Sequence, residues 1–181
     1  MAIWNPEKYL QAWNFAAIAH DGQCVPGSTV AYIHHLGSVA MEVMTAIALD
    51  STIENPDLSV QCALLHDTIE DTDVTFVDVE KEFGLAVAKG VQALSKDLTL
   101  PTKEAQMQDS LARIKQQPKE VWMVKLGDRI TNLQRPPKHW KSEKTKRYRQ
   151  EAILILEGLG DANEYLAKRL EQKIDNYQQY L

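Results

Sequence analysis

Proline and glycine punctuate this chain at the joints between segments whose apolar residues recur at helical spacing. That punctuation restricts the fold more than any other feature. Asn5-Pro6 is an N-cap followed by proline at the first helical position. Tyr9, Trp13, Ala16 and Ala17 then recur at helical spacing as far as His20. Residues 21–31, DGQCVPGSTVA, hold two glycines and a proline and read as a loop. Helices are predicted from Tyr32 to Asp50 and, after the break at Asn55-Pro56, from Leu58 to Glu70. Thr75 with Asp78 makes a capping-box-like start for a helix ending near Phe83-Gly84. Further helices cover 85–95, run from Pro101-Thr102 to Gln117, and run from Pro118 to a stop before Pro136-Pro137. The last two, over 142–158 and 161–180, are split at Gly158 and Gly160. Strand alternation is weak throughout, so the expected fold is all-α, a helical bundle of about eight helices or more joined by short loops.

A length of 181 residues points to one domain, 1–181, large enough to bury a core without disulfide or metal staples. The net charge of −5 argues against a nucleic-acid partner but leaves an anionic small substrate open, because local charge decides that. Cys24 and Cys62 share no spacing typical of a zinc site or a disulfide framework, which fits a reducing cytoplasm. MAIWNPEKYL has no basic-then-apolar leader pattern, and no apolar run is long enough for a membrane span.

The stretch CALLHDTIEDT, residues 62–72, runs an apolar segment straight into His66, Asp67, Glu70 and Asp71. On an ideal helix the last three lie at roughly 100°, 40° and 140° from His66, so all four project over one arc. Carboxylates this close resist ionising together, and a bound divalent cation relieves that repulsion. Imidazole with carboxylate suits manganese, iron or zinc. The plainer reading is a solvated polar helix end, but a cluster directly following core residues favours a cavity lining. Within VWMVKLGDRITNL, Lys125, Asp128, Asn132 and, just beyond it, Arg135 fall on one polar stripe of an otherwise apolar helix. An ion pair of Asp128 with Lys125 or Arg129 accounts for that stripe equally well. His34 and His35 open another apolar helix, pointing about 100° apart, and spacing alone does not say which of them faces a site.

The order of these motifs resembles the HD-domain metal-dependent phosphohydrolases. AHDGQ, YIHHLGSVA, ALLHDTIEDT, KLGDRITNL and the helix containing Tyr148 resemble the hydrolase domain of Rel/Spo proteins and their stand-alone relatives, the small alarmone hydrolases and animal MESH-type enzymes. The resemblance covers residues 14 to 160 and implies hydrolysis of the 3′-diphosphate of ppGpp-type nucleotides. It implies one Mn²⁺ held by His35, three residues after Tyr32, with His66, Asp67 and Asp128. It assigns Glu70 and Asp71 to the attacking water. It places Asn132 and Tyr148 at the substrate. The sequence departs from the family in the 21–31 loop, which lacks the usual basic pair. Arg135 stands where many relatives have Thr and is expected to restore some of the grip on phosphate.

Two other readings stand beside this one: a phosphohydrolase for another nucleotide such as NADPH, and an inactive HD module that only binds a nucleotide. PPKHWKSEKTKRYRQE, residues 136–151, reads either as a solvated helix face or as an attractor for phosphates. The C-terminal EYLAKRLEQKIDNYQQYL is read as packing, with homo-oligomer formation as the alternative.

Overall fold

The computed structural model describes residues 3–181. Ten α-helices follow in order: α1 (Pro6–Ala19), α2 (Ile33–Leu49), α3 (Pro56–Leu65), α4 (Thr68–Asp71), α5 (Phe76–Phe83), α6 (Leu85–Leu94), α7 (Lys103–Ile114), α8 (Lys119–Asn132), α9 (Ser142–Leu159) and α10 (Glu164–Tyr177). Short 3-10 turns at Gly160–Ala162 and Gln178–Tyr180 complete the chain. Among the described residues the one strand-like pairing is an isolated bridge between Cys24 and Ala31. No described helix is long and apolar enough to cross a membrane.

Local chemistry sets most helix starts. The Asn5 side chain accepts from Glu7 N, Asn55 from Leu58 N and Thr102 from Ala105 N, each satisfying a backbone donor that the first turn leaves free. Thr75 and Asp78 form a reciprocal capping box at α5.

The centre of the molecule is a three-helix packing of α2, α3 and α8. Every residue of α3 except Asp57 is buried, as expected of a helix that carries no one-sided apolar stripe. α1 covers α3 on one side, α6 bridges α3 and α8, and α10 lies against α8, α9 and α2. One apolar core takes residues from every helix except α4. The approach of α6 to α3 and α8 needs glycine: a β-carbon on Gly90 of α6 would sit 2.7 Å from Cys62 Sγ and 3.0 Å from Val121 Cγ2.

Two expectations are corrected here. The single helix predicted over 58–70 is two helices, because the chain turns at His66 and Asp67 between α3 and α4. Side chains take the carbonyls at the break: Thr68 Oγ1 donates to Leu65 O at 2.7 Å, and His66 Nδ1 lies 2.8 Å from Ala63 O. The ideal-helix arc for residues 66–71 therefore does not apply. The second correction concerns α8, which stops at Asn132. Leu133 takes φ −79°, ψ 59°, so Arg135 is off the stripe extrapolated from Asp128.

Gly90→Val should destabilise the fold by about 1–3 kcal/mol, the usual cost of overpacking a filled core. Urea denaturation checks this, and an unchanged midpoint would show that α6 does not press on Cys62 and Val121.

Candidate active site

The break after α3 aims two neighbouring side chains at one point. A carbonyl oxygen only accepts, so the contact with Ala63 O places the His66 proton on Nδ1 and turns Nε2 inward. That Nε2 is buried and has no hydrogen-bond partner among the described residues. Asp67 Oδ2 lies 3.0 Å from it, without hydrogen-bond alignment, and Asp128 Oδ1 lies 3.8 Å away. His35 Nε2, entering from the first turn of α2, is 3.6 Å from Asp67 Oδ2 and 3.5 Å from Asp128 Oδ1. Of the two adjacent histidines, His35 faces this point and His34 is exposed. Ligand atoms of His35, His66 and Asp128 all lie within 4.8 Å of one another.

This donor set fits a divalent cation. Two imidazole nitrogens and two carboxylates converge in a buried place, and a buried nitrogen lone pair facing carboxylate oxygens needs a positive charge between them. Without a metal, a proton supplies that charge. Burial opposes protonation of His66, but the carboxylates of Asp67 and Asp128 prevail and raise its pKa to about 9. Burial would likewise raise both acids. The charge of His66 holds Asp67 below the ordinary carboxylate range, and Lys125 and His35 hold Asp128 well below it.

Each acid is fixed by partners outside the cluster. Tyr32 Oη donates to Asp67 Oδ2 at 2.6 Å. Lys125 Nζ donates to Asp128 Oδ2 at 3.1 Å, and Asn132 Nδ2 donates to Asp128 Oδ1. The alternative pairing of Asp128 with Lys125 is thus present together with the cluster, while Arg129 pairs with Glu151 instead. Tyr32 stacks on buried His20 at 4.9 Å between ring centroids. His20 Nδ1 contacts Gln23 Oε1, and Gln23 Nε2 donates to the Asp71 carbonyl at 2.8 Å. The AHDGQ motif therefore ties α1 and the 21–31 loop to the end of α4.

Glu70 and Asp71 stand differently. Both Glu70 oxygens are occupied by Lys96, one by its backbone N–H at 2.8 Å and one by Nζ at 2.7 Å. The Asp71 carboxylate has no such bond among the described residues. Burial raises its pKa, and the charges of Asp67 and Glu70 raise it further.

These groups line a cavity of about 380 Å³. Asp67, Glu70, Asp71, Asp128 and Asn132 contribute one part of its wall; Lys96, Lys103, Lys144 and Arg147, with Trp140 and Tyr148, contribute another. Lys103, Lys144 and Arg147 have no carboxylate within 4.0 Å among the described residues; Lys144 Nζ instead sits over the Trp140 ring at 4.0 Å. Tyr148 packs edge-on against Trp140 and lies under the Arg129 guanidinium, 4.2 Å from ring centroid to Cζ. Burial pushes its phenol up to about 12. Arg135, expected among the phosphate-gripping residues, does not line this cavity; it lines a separate depression with Arg169 and Lys173. Sequence reasoning missed Lys96, Lys103 and Gln23. The first two come from the α6–α7 connection and the start of α7, with no periodic or motif signal. Gln23 was visible only as part of AHDGQ.

The HD domain family model matches residues 12–164. The chain belongs to the HD domain family. Within that family it is 33% identical over 172 residues to the zebrafish (Danio rerio) guanosine-3′,5′-bis(diphosphate) 3′-pyrophosphohydrolase MESH1, covering 90% of each chain. The human (Homo sapiens) MESH1 is 31% identical over 171 residues at the same coverage. The bifunctional (p)ppGpp synthase/hydrolase SpoT of Escherichia coli matches over 150 residues at 34% identity, 80% of this chain and 20% of SpoT. The solved structure of a metazoan ortholog of SpoT that hydrolyzes ppGpp superposes with a TM-score of 0.80 at 26% identity, over 99% of this chain and all of the other. This HD protein is thus of the MESH1-like hydrolase type, with a His-His-Asp group suited to a divalent metal.

Metal uptake should depend on pH with a defined sign. In the metal-free protein His66 is protonated below about pH 9, so each ion displaces a proton there. Affinity for Mn²⁺ should rise with pH up to about 9 and then level off. Titration calorimetry in buffers of different ionisation enthalpy reads the released proton directly. Asp128→Ala should retain no ion after gel filtration, and a full equivalent retained by that variant would remove Asp128 from the ligand set.

Proposed function

We propose that this chain is a Mn²⁺-dependent 3′-pyrophosphohydrolase of ppGpp-type nucleotides. The observation that carries the reading is the buried His35–His66–Asp67–Asp128 cluster opening into a cavity with three cations that have no ion pair among the described residues. The relatives named for this reaction, over nearly the whole chain, support it. Water adds to the phosphorus bonded to the ribose O3′, the bond from that phosphorus to O3′ breaks, O3′ takes up a proton, and the products are pyrophosphate and a nucleoside 5′-diphosphate with a free 3′-hydroxyl.

His35, His66, Asp67 and Asp128 would hold the cation, which supplies Lewis-acid stabilisation of charge on a phosphate oxygen when bound. Asp71 is the general base. Among the described residues its carboxylate has no hydrogen-bond partner, it lines the cavity, and partial burial with the charges of Asp67 and Glu70 raises its pKa, the direction that strengthens a general base. Glu70 is held by Lys96 on both oxygens and acts by keeping Lys96 and its own charge at the phosphate end. Lys103, Lys144 and Arg147 grip the phosphates, doing from α7 and α9 what a basic pair in the 21–31 loop does in typical relatives. Asn132 positions Asp128 and faces the cavity, and Tyr148 with Trp140 offers an aromatic wall for the nucleoside. The free thiols of Cys24 and Cys62 support a reducing, cytoplasmic setting. The chain acts as one catalytic unit.

The deciding experiment is a substrate panel with Mn²⁺: ppGpp, pppGpp, ppApp and NADPH, read for pyrophosphate and phosphate. Release of pyrophosphate from a 3′-diphosphorylated nucleotide is expected. Efficient dephosphorylation of NADPH with no reaction of any 3′-diphosphate would replace this reading with the other nucleotide phosphohydrolase.

Asp71→Asn should keep its Mn²⁺ while losing about 10²–10⁴-fold in kcat, the size of a general-base contribution. Joint loss of metal and rate would instead mark Asp71 as a ligand. For the wild type, kcat/KM should fall as salt rises from low to physiological levels, because the gripping cations attract phosphate through solvent. Lys103→Gln should flatten that dependence.

A further inference from the structure

Arg135 was singled out by the sequence and is not absorbed by the active site. After α8 ends at Asn132, the chain turns through Leu133 and carries Arg135 into a depression of about 250 Å³ walled by α10. Arg169 and Lys173, one turn apart on α10, face the same depression. Gln172, Asn176 and Tyr180 add polar groups to its lining.

The charges do not balance. Arg169 is neutralised by Glu42, which receives Nε at 3.0 Å and Nη2 at 2.7 Å. Among the described residues no carboxylate lies within 4.0 Å of Arg135 or Lys173. Among the described residues, Arg135 and Lys173 therefore stand in this depression without an ion pair of their own, on a protein whose net charge is −5. Partial burial, and then the neighbouring charge of Arg169, lower the Lys173 pKa, while the charge of Glu42 opposes them. The Glu42 pair also fixes the Arg169 fork, so one wall of the site is already rigid. The volume suits a compact phosphoryl group and is small for a whole nucleotide.

We propose that Arg135, Arg169 and Lys173 form an anion site, separate from the catalytic cavity, that takes inorganic phosphate or pyrophosphate. Arg169 and Lys173 on α10 and Arg135 beyond α8 approach the anion from different elements, and the amides of Gln172 and Asn176 complete its hydrogen bonds. Tyr177 closes the back of the depression, and its ring meets Tyr148 of the catalytic cavity at 6.2 Å between centroids.

The test is calorimetric titration of metal-free protein with phosphate and, separately, with pyrophosphate, at low ionic strength. Three proteins are compared: wild type, Arg135→Gln with Lys173→Gln, and Lys103→Gln with Lys144→Gln in the catalytic cavity. The first pair of changes should weaken one class of anion binding at least tenfold. The second pair should leave that class in place. Phosphate binding as tightly as pyrophosphate would mark a single-phosphoryl site, and tighter pyrophosphate would mark a site for both groups; either is consistent. The proposal is overturned if the Arg135/Lys173 variant binds anions as the wild type does, or if all binding disappears in the cavity variant. Lys173→Glu, a charge reversal beside the Arg169–Glu42 pair, should abolish the same binding and guards against a subtle effect of the double change. Turnover of ppGpp by the Arg135/Lys173 variant is expected to continue, so loss of this site and loss of the proposed enzymatic activity are separate results.

Discussion

The contact between His66 Nδ1 and the Ala63 carbonyl is the interaction on which the rest of the site depends. It fixes the tautomer, ends α3 and directs the other ring nitrogen into a place that water does not reach. A buried acceptor with no donor is costly, by about 1–3 kcal/mol for a neutral group and more among charges. Positive charge at this nitrogen, facing Asp67 and Asp128, offsets the cost, as a proton does in the metal-free protein. The core packing of α2, α3 and α8 brings those partners in from three helices. Removing any helix from that packing would leave the others with unpaired buried charge, so fold stability and site assembly are the same problem here.

Around the cluster, lysines and arginines divide into two populations. Lys125, Lys96 and Arg129 are matched to carboxylates and maintain shape. Lys103, Lys144 and Arg147 have no carboxylate partner among the described residues and line the open cavity. An acidic chain can bind polyanions because this second population is gathered where the first has already neutralised the acids of the site.

Helix starts were legible in the sequence because they are written in local chemistry: Asn5, Asn55, Thr75 and Thr102 each cap their own first turn. The all-α class followed from periodicity, and the family from motif order. The turn at His66–Asp67 was not legible, since competition between side chains and carbonyls for hydrogen bonds is settled by packing and leaves the 3.6-residue pattern intact. The choice between His34 and His35 was undecidable from spacing for the same reason: two adjacent residues share one helix start, and only the direction in which α2 enters the core separates them. Arg135 was misplaced because a helical period was carried past the point where the helix ends. Lys96 and Lys103 had no signal at all, because their relation to Glu70 and the cavity exists only after α6 and α7 fold back beside α4 and α9.

The 21–31 loop closes on itself. Val25 N–H donates to Val30 O at 2.8 Å, Tyr32 N–H donates to Gln23 O at 2.9 Å, and Gly22 and Gly27 take the positive φ values that such tight reversals need. Between Cys24 and Ala31 none of its side chains reaches the cavity wall. Its tip, residues 26–28, is therefore mechanically insulated from the chemistry, anchored at its base by Gln23 and Tyr32. A fluorophore, an affinity handle or a tether to a surface placed on the exposed thiol of Cys24 or spliced at Gly27 would ride on a self-supporting hairpin, giving this fold an attachment point that leaves catalysis and helix packing undisturbed.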